Sequence, residues 1–136
     1  MAISDEVTDR VLGAAIEVHR HLGPGLLESA YEECLLWELR HAGIAAEQQV
    51  PLPIVYKGIR LDVGYRLDIV VERQVILELK SVDALAPIHS AQLLTYLRLA
   101  RLHRGLLLNF NTTFLRDGIK RMVLGSRDAP GTKAAH

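Results

Sequence analysis

Two strands, about Tyr65 to Val71 and Val75 to Lys80 in YRLDIVVERQVILELK, alternate in the pattern of an antiparallel hairpin. With Glu72, Arg73 and Gln74 as a three-residue loop, Val71 faces Val75. Leu67, Ile69, Val71, Val75, Leu77 and Leu79 then point to one side, and Arg66, Asp68, Val70, Ile76, Glu78 and Lys80 to the other. A slip of one residue would mix acids into the apolar side, so the pattern itself selects the register. The loop lacks the glycine that such turns usually use.

In this register Asp68 lies directly opposite Glu78, with Cβ atoms about 5 Å apart. Two carboxylates that close repel, so either one is protonated or a cation sits between them. Hard oxygen ligands suit Mg²⁺ or Mn²⁺. Lys80, two residues beyond Glu78, shares its side and is placed to hold a water or a phosphate oxygen, or to stabilise developing negative charge. A metal with an ammonium beside it is a recurrent way to cut phosphodiesters. The same residues would also suit a solvated face with ordinary ion pairs. Val70 and Ile76 on that face, and the helix that follows, speak for a partly covered one.

Around the hairpin, Val7, Val11, Leu12, Ala15, Ile16 and Val18 recur at helical spacing, and the helix stops at HLGPG. A second helix runs from about Leu26 to His41, with Leu27, Ala30, Cys34, Leu35, Leu36, Trp37 and Leu39 as a wide apolar stripe. Gln49 to Tyr56 reads as a strand, and Pro51 and Pro53, which cannot donate to a ladder, place it at a sheet edge or give it an irregular start. Lys57-Gly58 reads as a turn. A third helix spans about Pro87 to Leu102, with proline in its first turn. Gly105 to Phe110 is apolar enough for a strand buried on both faces, and Ile119 to Leu124 adds a short last strand. The order is ααβββαβ(β), a mixed α/β sandwich rather than a doubly wound parallel sheet. Residues 1–125 are expected to form a single domain and residues 126–136 a flexible tail.

The 136 residues suit one domain of ordinary size. Sixteen basic and sixteen acidic side chains leave no global field, which disfavours gripping nucleic acid by bulk charge. No apolar run approaches a membrane span. The first residues carry acids rather than the apolar core of a secretory signal. The single cysteine, Cys34, excludes an internal disulfide and suits a reducing, cytoplasmic setting. Within its apolar stripe Cys34 reads as core rather than nucleophile. A 49% hydrophobic content with two apolar N-terminal helices points to a homo-oligomer, a dimer in the first instance.

Gln92 and Tyr96 lie one above the other on the third helix, at the polar border of its apolar stripe. They are placed to orient a metal water or a phosphate, or form a plain surface pair. Glu28 at a helix start also suits the helix dipole. His19 and His21 point apart and make no zinc pair, and His89 reads as a surface histidine.

GLLESAY, Gly25 to Tyr31, fits a GxxExxY signature. Together with YRLDIVVERQVILELKSVDAL and APIHSAQLLTYLRLA, it makes the chain resemble the GxxExxY protein family, whose members resemble the PD-(D/E)XK nucleases. The resemblance implies a restriction-endonuclease-like fold, α/β, with a central mixed sheet of about four strands flanked by helices. It implies Asp68 and Glu78 as metal ligands, with Glu28 contributing directly or through water. Lys80 becomes the catalytic lysine, and Gln92 and Tyr96 match a Q-x-x-x-Y helix motif. Leu67 stands where the superfamily's motif has proline. The function implied is a Mg²⁺- or Mn²⁺-dependent nuclease acting on phosphodiester bonds, in DNA. The alternative is a non-catalytic oligomeric or partner-binding module that retains the fold.

Overall fold

A computed structural model describes residues 3–125, with side chains from residue 6 onward. The tail expected at 126–136 lies outside the described residues. The first helix, α1 (Ile3–Leu22), turns Val11, Ala15 and Val18 inward and ends where Gly23 takes φ 70°. Helix α2 (Glu28–His41) lies beside it with Tyr31, Leu35, Leu36 and Leu39 buried. The stripe expected on α2 is wider than the one observed. Tyr31, Glu32, Leu35, Leu36 and Leu39, at i, i+1, i+4, i+5 and i+8, form its inner face, and Cys34 and Trp37 fall outside it. Cys34, expected in the core, is therefore exposed, as are Leu27 and Trp37.

Strands β1 (Ala46–Pro51), β2 (Ile54–Tyr56), β3 (Ile59–Leu61), β4 (Arg66–Val71) and β5 (Val75–Lys80) follow. Helix α3 (Pro87–Ala100) then crosses to β6 (Arg104–Asn109), and a 3₁₀ turn, Leu115–Gly118, leads into β7 (Ile119–Val123). Five strands form the sheet, in the order β1-β4-β5-β6-β7, one more than expected. Only β5 and β6 run parallel, as a crossover through α3 requires. Helices α1 and α2 cover one face, where Ile69, Val71, Val75, Leu77 and Leu79 meet them. Helix α3 covers the other face over Val70, Ile76 and Leu107. The buried run Leu106–Leu107–Leu108 serves both clusters, as its unbroken apolarity foretells.

The prolines act as expected. β1 is an edge strand, and at Pro53 the chain leaves the sheet instead of continuing the single strand expected over Gln49–Tyr56. It forms a separate two-stranded ribbon, β2–β3, turning at Lys57 (φ 50°) and Gly58 (φ 81°). Strand β3 was not foreseen, because three residues are too few to show a period.

The hairpin β4–β5 has the expected register: Val71 faces Val75, Val70 faces Ile76 and Ile69 faces Leu77. Its loop holds Glu72 (φ 53°) and Arg73 (φ 54°) in the left-handed region without glycine. Two bonds hold it there: Glu72 N donates to the Ala45 carbonyl, and Ala45 N donates to Glu72 Oε2, each at 2.8 Å. One side chain departs from the expected alternation. Leu67 packs with the α3-side cluster rather than with Ile69. Gln49 of β1, between the residues paired with Ile69 and Leu67, has φ 52°. Beyond this kink the Val50–Leu67 pair packs on the α3 side.

At the far edge, Gly118 lets the 3₁₀ turn lie on β6, since a Cβ there would collide with the Asn109 carbonyl oxygen. Gly118→Ala is expected to destabilise the fold by about 2 kcal/mol. The check is a lower urea midpoint with unchanged slope.

Candidate active site

Backbone pairing between β4 and β5 runs no further than Ile69↔Leu77. On their outer sides both strands stay paired, β4 with β1 through Arg66 and β5 with β6 through Lys80. The sheet therefore forks, and two carboxylates take the place of the missing carbonyls. Glu78 Oε2 accepts from Asp68 N at 3.1 Å, and Asp68 Oδ2 accepts from Leu79 N at 2.9 Å. Each acid thus satisfies a backbone donor of the opposite strand. The opposition expected from the alternation is realised as this reciprocal pair.

Each carboxylate keeps a second oxygen, Asp68 Oδ1 and Glu78 Oε1, with no hydrogen-bond partner among the described residues. No sealed side-chain polar atom lacks a partner there, so these two oxygens are reached from solvent. Glu78 is only 6% exposed. Burial, and next the charge of Asp68, push its carboxyl up to about 8, against the opposing pull of the Asp68 N–H bond and Lys80. Asp68 is also raised, chiefly by burial, and then by Glu32 and Glu28, while the Leu79 N–H bond and Lys80 lower it. A cation between the two acids would relieve both burial and repulsion.

Lys80 lies half-buried at the end of β5. Its backbone is fixed by Phe110 N donating to its carbonyl at 2.9 Å. The following loop is clamped by buried Asn109, which accepts from Val82 N at 3.1 Å and donates to the Val82 carbonyl at 3.0 Å. The lysine acts on both acids at a distance and makes no ion pair among the described residues.

Helix α2 brings two acids to the fork. Tyr31 sets its entry: it stacks on Phe110 with centroids 4.4 Å apart, donates to the Gly23 carbonyl at 2.6 Å, and accepts from Leu26 N at 3.1 Å. Tyr31 is thus a structural residue of the motif. Glu28 is exposed and accepts from Ser81 N at 3.3 Å, beside Lys80 at the rim. Glu32, one turn further on, is buried and receives the side-chain amides of Gln48 at 2.9 Å and Gln49 at 3.0 Å. It repels both Asp68 and Glu78, and acts more strongly on Asp68 than Glu28 does. In the sequence Glu32 shows only as the i,i+4 partner of Glu28 on one helix face, which by itself does not assign it to the site.

From α3, half-buried Tyr96 stands near enough to the acids that Glu78 and Asp68 add to burial in raising its hydroxyl pKa. Its ring contacts Tyr65, centroids 6.3 Å apart. Gln92 is exposed one turn earlier. His19, excluded as a zinc ligand, is buried with Nε2 within 2.9 Å of the Thr112 carbonyl, and His89 Nδ1 caps α3 by accepting from Ala86 N.

The donor set fits a hard divalent cation. No group of three or more His, Cys, Asp or Glu is gathered for a metal among the described residues. Two carboxylates are nevertheless the set by which Mg²⁺ is usually bound, since it keeps several waters and shares substrate phosphates. Among the described residues no helix is long and apolar enough to cross a membrane.

A family model described as the PD-(D/E)XK nuclease superfamily matches residues 5–122, from α1 to β7. Comparisons with curated proteins and with solved structures gave no match.

Proposed function

Because the chain belongs to the PD-(D/E)XK nuclease superfamily, we propose that it is a divalent-cation-dependent nuclease. It would hydrolyse phosphodiester bonds, in DNA, at the fork between β4 and β5. The observation that carries this reading is the reciprocal pair Asp68–Glu78, largely withdrawn from water at a cost that a cation between them would offset, with the second oxygen of each left without a hydrogen-bond partner among the described residues. Asp68 and Glu78 would hold the ion, with Glu28 or Glu32 of α2 reaching it through water. Mg²⁺ or Mn²⁺, when bound, supplies Lewis acidity toward the phosphoryl oxygen and a lowered pKa for water.

The remaining work falls to the chain. Lys80, unpaired with either acid, presents its ammonium to the attacking water and to the charge that develops on the phosphoryl oxygens. Water adds to phosphorus, the P–O bond to the leaving alcohol breaks, and that oxygen takes up a proton. Tyr96, with its O–H kept protonated by burial and the nearby acids, offers a donor to a phosphate oxygen. Gln92 reaches the same side of the substrate from one turn away.

Cleavage of plasmid, single-stranded DNA and RNA in Mn²⁺ by wild type and Asp68→Ala tests the reading. Cutting by wild type alone supports it, and the substrate cut names the class. Equal residual cutting by both marks contamination. The protein would then be a non-catalytic module that retains the fold.

A further inference from the structure

The β2–β3 ribbon is the part of the fold that the core does not account for. Its pairs are Ile54↔Leu61, Val55↔Arg60 and Tyr56↔Ile59. Ile54, Tyr56, Ile59 and Leu61 thus share one face, with Val55 and Arg60 on the other. Val55, Tyr56 and Ile59 are about 60% exposed, and Leu61, Val63 and Tyr65 are exposed as well. Ile54 is half-buried and the other ribbon residues are exposed; a lone two-stranded hairpin so little covered is marginal in water, and clustered exposed apolar residues mark a binding surface.

Charge says what binds. Between residues 54 and 66 stand Lys57, Arg60 and Arg66 against one acid, Asp62, within a chain of zero net charge. Asp62 pairs with Arg60 at 3.4 Å, but both side chains are about 70% exposed, so the pair is weak and screened. At the tip the Lys57 ammonium lies 5.4 Å from the Tyr56 ring centroid. At the root Leu52 N donates to the Tyr65 carbonyl at 2.9 Å, and the Tyr65 ring contacts Tyr96 beside Glu78. Aromatic rings and cations therefore occur at both tip and root, and the root adjoins the fork.

A second copy docked on this ribbon would bring cations against cations. A ribbon reading a duplex groove needs polar side chains toward base edges, and this one offers isoleucine, leucine and tyrosine. Rings that stack with unpaired bases and cations that follow a backbone fit single strands.

We propose that the β2–β3 ribbon is a substrate arm for single-stranded nucleic acid. Phosphates lie against Lys57, Arg60 and Arg66, bases stack on Tyr56 and Tyr65, and the strand leads into the fork. The arm rests on the nuclease reading for what happens at the fork, and adds the form of the substrate.

The test is fluorescence anisotropy with fluorescein-labelled oligo(dT) and with a duplex of equal length, in EDTA so that nothing is cut. Wild type is expected to bind oligo(dT) more tightly than the duplex. Tyr56→Ala should weaken oligo(dT) about 5- to 150-fold, the range for one lost stacking partner. Lys57→Ala with Arg60→Ala should also reduce the salt slope by about 0.7 per cation. All three positions are exposed, and circular dichroism with a thermal melt verifies folding. Unchanged affinity in every variant overturns the arm, as do duplex preference and absence of oligo(dT) binding by wild type. So does a loss of self-association in the variants without a change in oligo(dT) binding. Ribbon-dependent binding without cleavage by wild type would keep the arm and remove the nuclease reading. Cleavage that ribbon substitutions leave untouched, with binding also untouched, would do the reverse.

Discussion

Lys80→Ala is expected to reduce Mn²⁺-supported DNA cleavage about 10²–10³-fold, the scale of losing one preorganised electrostatic donor, while metal affinity stays unchanged or rises slightly. The reasoning starts from position. Lys80 follows Glu78 by two residues, so it shares its side of β5, yet it makes no ion pair among the described residues. Its positive charge lowers the proton affinity of both acids and opposes a second cation beside them. Removing it should therefore not weaken metal capture. What is lost is charge stabilisation when the phosphoryl oxygens become more negative, an interaction that counts only in the transition state. Cleavage rates paired with Mn²⁺ calorimetry separate the two effects. A variant that cuts like wild type, or that loses metal binding together with activity, would contradict the assignment.

The metal-free protein is expected to lose stability as pH rises from about 4.5 to about 8. Glu78 has a folded-state pKa of about 8 against an ordinary value of 4.5. The folded state thus binds this proton more tightly than the unfolded chain does. The contribution is complete below the unfolded value and is lost as pH climbs through the folded one, on the order of a few kcal/mol in all. Asp68, also raised, acts with the same sign. Glu78→Gln keeps an oxygen for the Asp68 N–H and removes the charge. It should flatten the profile in this window and melt later than wild type at pH 8.5 in EDTA. Mn²⁺ should stabilise wild type increasingly as pH rises, because binding requires the deprotonated pair, and should leave Glu78→Gln unmoved. Thermal melts across pH with and without Mn²⁺ check both statements. Earlier melting of Glu78→Gln at pH 8.5 without metal would mean that the carboxylate is a structural partner instead.

The strand register at the candidate site was legible because a strand has a period of two. Once Val71 faced Val75, the opposition of Asp68 and Glu78 followed, and the structure keeps that pairing through Ile69↔Leu77. The fork was not legible, since it depends on carboxylates displacing backbone partners, which no side-chain pattern records. Leu67 lies on the α3 side rather than beside Ile69, next to a left-handed residue, Gln49, on another strand, which the hairpin's own alternation does not record. Cys34 was read as core because it is apolar and near Leu35, although its angle on α2 turns it outward. Glu32 joins the site through Gln48 and Gln49, which lie beyond the turn that ends α2, so local spacing could hint at it only through Glu28. Of the ribbon, Ile54–Tyr56 and the Lys57-Gly58 turn were legible, but its separation from the sheet and the strand β3 were not, because three exposed residues show no period.

The most direct test of the central claim is a crystal structure grown with Mn²⁺ at pH 8 and read in anomalous difference maps. The account predicts a single manganese peak between Asp68 and Glu78, about 2.1 Å from an oxygen of each, with Lys80 beside it. Manganese bound elsewhere with the fork empty, or the two carboxylates turned to opposite faces of the sheet, would contradict it.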